Sequence, residues 1–207
     1  MKKSLLGLLL AVALVVPAFA AKGDMSINGK IGLGVSNNLN SGNNNVGSSM
    51  SLGMPFSIGA EFFYGLMDNL SVGLGVDYGF KSKFEANGTF MGYPMSVEAE
   101  GRTTNIYLAV KPEAKLDSKI FSSMYLLGQI GLSSIEYKST STFSSSSNSG
   151  TADMGIYLGF GAGVTIKDNF IVEFIISSSN GTTNQDGEDV DMQYTAATIN
   201  LGYKFSL

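Results

Sequence analysis

The chain has 207 residues, no cysteine and no histidine, and carries 17 acidic against 13 basic side chains. These counts exclude a disulfide framework, thiolate metal sites, a Ser-His-Asp triad and the commonest zinc ligands. They leave no basic stripe for nucleic acid, and the length suits one domain behind an export signal.

The first element is MKKSLLGLLLAVALVVPAFA, residues 1–20. Lys2 and Lys3 precede an apolar run from Leu5 to Val16, and Ala18 and Ala20 are small residues at the positions a signal peptidase reads. Cleavage is expected between Ala20 and Ala21, giving a mature domain over 21–207. The apolar run is short for an uncleaved membrane anchor. Without a cysteine the signal is not of the lipoprotein kind. Of the 13 basic residues, removal of Lys2 and Lys3 leaves 11 against 17 acids. Beyond residue 20 no apolar run approaches the length of a spanning helix.

The mature sequence alternates with period two, the mark of strands with one apolar face. Eight are predicted, near 24–36, 50–63, 69–84, 102–114, 120–137, 153–166, 169–178 and 192–207. In the second, Met50, Leu52, Met54, Phe56, Ile58, Ala60 and Phe62 alternate with Ser51, Gly53, Pro55, Ser57, Gly59 and Glu61. In the third, Leu70 to Phe80 alternates with Ser71, Gly73, Gly75, Asp77, Gly79 and Lys81. The sixth sets Ile156, Leu158, Phe160, Ala162 and Val164 against Tyr157, Gly159, Gly161 and Gly163. Three connections are short: 64–69, 115–119 and 167–169. Four are long and polar: 37–49, 84–101, 138–152 and 179–191. In the second of these, Asn87-Gly88 predicts a protruding hairpin whose strand edge could take up another strand.

An eight-stranded meander closes either as a soluble barrel with an apolar interior or as a membrane barrel with an apolar exterior. An eight-stranded interior has room only for tightly packed side chains. Bulky Met, Leu, Phe and Ile sets therefore belong outside, and the Gly/Ser face belongs inside. A charge on a lipid-facing wall costs about 2–4 kcal/mol near the midplane, and the apolar sets contain none. Glu61, Asp77, Lys81, Lys111, Glu113, Glu173 and Lys204 fall on the polar face, with Gln129 and Asn200. They predict an internal network of ion pairs and hydrogen bonds, densest near the short turns. Phe62, Tyr64, Phe121, Phe170, Tyr203 and Phe205 at one end, with Tyr78 and Phe80 at the other, fit interfacial girdles.

The last strand reads Asn200, Leu201, Gly202, Tyr203, Lys204, Phe205, Ser206, Leu207. With the alternation before it, this terminus resembles that of the small outer-membrane β-barrel family, the OmpA/OmpX-like eight-stranded proteins of Gram-negative envelopes. The family usually ends in Phe, where this chain has Leu207. The resemblance implies an all-β, eight-stranded antiparallel up-and-down transmembrane barrel with short periplasmic turns and long extracellular loops. It implies residence in the bacterial outer membrane as a monomer, in contact with lipid and lipopolysaccharide. It further implies periplasmic chaperones and a barrel assembly machinery that reads Asn200, Gly202, Tyr203, Phe205 and Leu207. Gly202 is expected to leave lumen space beside Tyr157 or Tyr194. No peptidoglycan-binding module is expected after the barrel.

No catalytic, cofactor or metal site is expected. Glu61 with Glu173 could act as an acid–base pair, but an ion network is the stronger reading. Asp186, Glu188, Asp189 and Asp191 form an acidic stretch for which a solvated loop outweighs a cation site. The functional expectation is a non-enzymatic envelope protein that meets a host or cell-surface ligand through its loops. The alternatives are a narrow pore or conduit for small or hydrophobic molecules, and a soluble periplasmic ligand-binding barrel.

Overall fold

The computed structural model describes residues 23–43, 46–51, 54–90, 93–141, 146–185 and 188–207. The strands are β1 (Met25–Asn43), β2 (Val46–Ser51), β3 (Phe56–Met67), β4 (Leu70–Gly79), β5 (Ser82–Phe90), β6 (Tyr93–Lys115), β7 (Phe121–Ser141), β8 (Ser146–Thr151), β9 (Gly155–Ile166), β10 (Phe170–Gln185) and β11 (Glu188–Ser206). Eight of them close a ring in chain order: β1, β3, β4, β6, β7, β9, β10 and β11, every pair antiparallel. The seam joins the first strand to the last, from Ser26 opposite Ser206 to Gly42 opposite Asp191. It continues to the Leu207 N–H, which donates to the Met25 carbonyl at 2.9 Å.

Alternation decides which side chains leave the ring. Ile31, Ile58, Val76, Leu108, Ile130, Phe160, Phe174 and Leu201 are exposed on the outer wall. A water-facing surface of this kind would be an aggregation site; in hydrocarbon it is the correct solvent. Near the short turns, Phe170 and Tyr203 meet edge to face at 5.4 Å, and Tyr203 lies 4.8 Å from Phe205. Tyr64 departs from the expected girdle, because it is buried against Gly23 ahead of β1.

Of the short turns, the one between β9 and β10 has the most specific chemistry. Lys167 and Asp168 both have positive φ, 48° and 66°, the two-residue geometry whose twist matches a hairpin. Asp tolerates that backbone region better than most residues, and the Asp168 N–H donates to Ser122 Oγ at 2.8 Å.

The long connections differ from expectation. Most of their residues are strand, not loop, because backbone pairing continues past the apolar belt where both faces are wet and hydrophobic alternation stops. The second stave starts at Phe56 rather than near residue 50. Pro55 has no N–H to continue a ladder; its carbonyl accepts from Gly34 N at 2.8 Å, and Val46–Ser51 folds back on β1 as β2. The third stave ends at Gly79. Asn87-Gly88 is not the hairpin turn: both residues lie within β5, opposite Ser96 and Met95. Phe90 pairs with Tyr93, and residues 91–92 between them lie outside the described residues.

Ile31 and Leu201 are register partners on the lipid side of the seam. Ile31→Lys or Leu201→Lys is expected to lower stability by roughly 2–4 kcal/mol, the cost of a cation in the hydrocarbon wall. Urea unfolding of protein refolded into lipid bilayers measures this; an unchanged midpoint would place these residues off the lipid face.

Candidate functional site

The inward face concentrates polar chemistry at mid-height. Lys30 projects from β1, Glu61 from β3 and Glu173 from β10, all almost fully buried. Lys30 Nζ lies 2.6 Å from Glu61 Oε1 and 3.0 Å from Glu173 Oε2. Tyr125 donates its hydroxyl to Glu173 Oε1 at 2.8 Å. Tyr107 and Gln129 donate to Glu61 Oε1 at 3.0 and 3.2 Å. Tyr157 donates to the Gln129 carbonyl oxygen at 2.7 Å. Each ion thus has a counter-ion and further hydrogen bonds, the condition under which a buried pair recovers its desolvation cost. Asp77 belongs to the same interior, its carboxylate lying over Gly59, its register partner.

The glycines of the polar face make room for these rings. A Cβ at Gly75 would stand 2.4 Å from the Tyr107 ring, and one at Gly163 would stand 2.5 Å from Tyr125. Side chains there would displace the two hydroxyls that hold the carboxylates. Gly202 serves the cluster too, but beside Gly29 O and Lys30 Cγ, not beside Tyr157 or Tyr194 as expected. Gly202 is the register partner of Lys30 across the seam, so its nearest large neighbour is the lysine of β1.

Below the cluster, Lys111 sits 3.4 Å from Glu113 and over the rings of Phe63 and Tyr125, at 4.6 and 5.0 Å from their centroids. Both contacts favour an ammonium held away from water. Lys204 shares the mouth at the short-turn end with Lys111, Glu113 and Asp24. Above the cluster, Leu39, Ile135, Ala152, Met192, Tyr194 and Ala196 pack together, mixed with buried Asn37, Asn105, Ser179 and Thr183. The barrel is therefore filled along its length: charged at the mouth, ionic among aromatic rings at the centre, and mixed apolar and uncharged polar toward the long hairpins.

Lys81, expected in the lumen, is outside it. Its side chain is exposed and pairs with Glu100 at 3.6 Å. The strand ends at Gly79, so parity no longer sets its direction. Conversely, face assignment on the neighbouring strands missed Lys30 and Asn28. The signal was present in Ile27, Ile31, Leu33 and Val35, whose alternation sends Lys30 inward. Of the final strand's expected residues, Tyr203, Phe205 and Leu207 are exposed on the outer wall, whereas Asn200 is buried inside. Within the acidic stretch, Asp189 and Asp191 lie in β11 and accept from Asn184 and Thr182 across the hairpin. Asp186 lies outside the described residues, as do Ala18, Ala20 and Ala21. Among the described residues no group of three or more carboxylates is arranged to hold a metal ion.

Residues 6–205 match the family described as Outer membrane protein beta-barrel domain. Among solved structures, the chain resembles Ail, the attachment invasion locus protein of Yersinia pestis, at 12% identity and a TM-score of 0.50, covering 89% of this chain and 99% of that one. It also resembles the outer membrane protein OprG of Pseudomonas aeruginosa at 11% identity and a TM-score of 0.50, covering 88% and 96%. At these identities the likeness is one of fold. No curated protein sequence matches the chain.

Lys30 is the shared counter-ion of two buried carboxylates, so Lys30→Met is expected to cost roughly 3–5 kcal/mol. The triple variant Lys30→Met, Glu61→Gln, Glu173→Gln should recover most of that loss. Urea titration in bilayers checks both, and a parent-like midpoint for Lys30→Met alone would contradict the shared-ion arrangement.

Proposed function

The chain belongs to the outer membrane protein beta-barrel family, and from that premise we propose that it is a non-enzymatic surface-interaction protein which engages extended protein segments through strand edges above the membrane. The observation that carries this reading is the division of the wall beyond the apolar belt. There β2-β1-β11-β10 forms one flap and β5-β6-β7-β8 the other. Among the described residues, β2 is laddered only to β1 and β8 only to β7. Their other edges carry backbone donors and acceptors suited to pairing with an incoming strand.

The interior supports a structural rather than catalytic role. The strongest carboxylates, Glu61 and Glu173, share a lysine within a packed lumen, where a substrate could not reach them. The same packing weighs against a pore or conduit. Residues 1–20 act as the export signal, cut between Ala20 and Ala21. Asn200, Gly202, Tyr203, Phe205 and Leu207 act as the segment read by periplasmic chaperones and the assembly machinery. Lipid and lipopolysaccharide surround a monomer.

Proline substitution in the two edge strands, at Ser49 and Ser147, tests the main reading, because proline blunts an edge without adding charge. The variants should insert normally, seen as a heat-dependent change in gel mobility, and lose at least tenfold in adhesion of expressing cells to a protein-coated surface. Adhesion equal to the parent would sink the edge-binding role. Single-channel recording of the parent should give no stable steps; steps altered by Lys30→Met would establish a pore instead. Deletion of Phe205–Leu207 should cause periplasmic accumulation or degradation in pulse-labelled fractions, whereas normal insertion would mean that the terminus is not read.

A further inference from the structure

At mid-height the interior carries more negative than positive charge. Lys30 is shared by Glu61 and Glu173, and Lys111 below them is taken up by Glu113. Asp77, on β4, forms no ion pair among the described residues. The Tyr107 hydroxyl that reaches it already donates its hydrogen to Glu61 at 3.0 Å. One ammonium thus stands among three carboxylates, Glu61, Glu173 and Asp77, an excess of two negative charges. The outward residues beside them, Ile31, Ile58, Val76 and Leu201, face lipid. Uncompensated charge in such surroundings is costly.

Asp77 borders a cavity of about 50 Å³ on the long-hairpin side of the cluster, shared with Ser57, Asn105, Ser177, Thr198 and Asn200. Two of these oxygens converge. Gly32 is the register partner of Ser57 on one side and of Asn200 on the other, and a Cβ at Gly32 would collide with both Ser57 Oγ and Asn200 Oδ1. Gly59 makes the same allowance for the Asp77 carboxylate. Asn200 is only 7% exposed, yet neither its amide nor the Ser57 hydroxyl hydrogen-bonds a protein group among the described residues. A buried polar side chain of this kind calls for a partner. Asn105 Oδ1 accepts from Ser179 at 3.4 Å and Thr198 Oγ1 donates to the Ile175 carbonyl at 3.5 Å, long contacts that leave oxygen lone pairs free. Arg102 borders the same space, but its guanidinium is held by Glu136 and lies over the Tyr78 ring. The cavity reaches the notch where β3 begins and β4 ends, beside the exposed Phe56 and Phe80, so an ion has a way in from the long-hairpin end.

We propose that this cavity is a calcium site, with Asp77 as its charged ligand and Ser57, Asn105 and Asn200 as neutral oxygen ligands. Calcium takes about six to eight oxygens from carboxylates, amide carbonyls and water in flexible geometry, and the donors here are of that kind. Its double charge cancels the excess of the ionic centre. The size agrees: one water needs about 10–15 Å³, so the space holds a single ion with a few waters and no organic ligand. Magnesium demands a near-ideal octahedron and keeps its waters, for which the strands leave no adjustable shell. A proton on Asp77 would cancel one charge and satisfy one oxygen, leaving the convergent pair over Gly32 unmatched. Bound calcium would tie β3, β4, β6 and β11 together beside the β1–β11 seam, at the height where the wall opens. This site is separate from the β2 and β8 edges and stands or falls without them.

The test uses the protein refolded in a zwitterionic detergent, freed of metal with a chelator and dialysed against radiolabelled calcium. The parent should take up one calcium ion per barrel. Asp77→Asn keeps the shape and removes the charge, and should weaken binding by at least about tenfold, a loss that even an outer-shell partner of a metal can cause. Gly32→Ala presses on Ser57 and Asn200 without removing a ligand and should also weaken it. The control Asp189→Asn, Asp191→Asn in the acidic stretch should bind like the parent. Because a ligand of the folded state stabilises it, calcium should raise the urea midpoint of the parent and leave that of Asp77→Asn in place. If Asp77→Asn misfolds, judged by lost heat-dependent mobility, Ser57→Ala is read instead, with weakened uptake expected. Failure of the parent to take up calcium, or parent-like binding by a folded Asp77→Asn or its substitute, would overturn the site. Uptake lost in the control variant would overturn it equally, by placing the ion in the hairpin. Equal stabilisation of the parent by magnesium would overturn the calcium assignment.

Discussion

In hydrocarbon every backbone N–H and C=O must find a partner within the protein, because no water is present to take its place. This constraint organises the molecule. A meander of eight strands satisfies it only by joining its first strand to its last, and the β1–β11 seam does so from Ser26 to Gly42. Closure then divides every strand into an outer and an inner face. It sends Ile31, Leu201 and their neighbours to lipid and leaves a narrow interior that must be filled. The small residues of the inner face follow from that geometry, since Tyr107 and Tyr125 fit only where Gly75 and Gly163 lack a side chain.

The ionic centre is where closure and filling meet. Lys30 and Glu173 lie 143 positions apart in sequence, yet they form one contact across the interior. Their pairing can exist only once the ring is complete. The cluster therefore links folding to closure: an open sheet would keep Lys30 beside Glu61 on the adjacent strand but leave Glu173 without its lysine. Where the membrane ends, the constraint ends too. Pro55 interrupts one stave and Gly79 ends the next. The wall then separates into two flaps with open edges, because water can now satisfy unpaired backbone groups. Dense interior and open rim are two results of one change of solvent, and the proposed strand-edge binding lies at the rim.

Much of this was legible in the sequence. Apolar alternation is strong where lipid bathes one face, so the transmembrane staves and their outward residues could be read from strings such as Ile156, Leu158 and Phe160. The signal fades where both faces are wet. For this reason the long hairpins read as loops, and Asn87-Gly88 looked like a turn although pairing carries the strands past it. Parity also fails at a strand end: Lys81, two residues beyond Gly79, lies outside the lumen. The ion cluster was half legible. Glu61 and Glu173 followed from alternation, but their partner Lys30 sits in a strand whose apolar face includes Gly29 and is less conspicuous. Which lysine joins which carboxylate depends on register across the closed ring, and that information is not local.

Backbone amide hydrogen exchange of the refolded protein in lipid nanodiscs tests the closed ring most directly, because exchange reports which ladders open. Amides at 26–34 and 198–206 are expected to exchange as slowly as those of the β9–β10 ladder, and those of the edge strand β2 much faster. Exchange at the β1–β11 seam as fast as in β2 would contradict closure, and with it the division into a lipid-facing outside and an ionic interior.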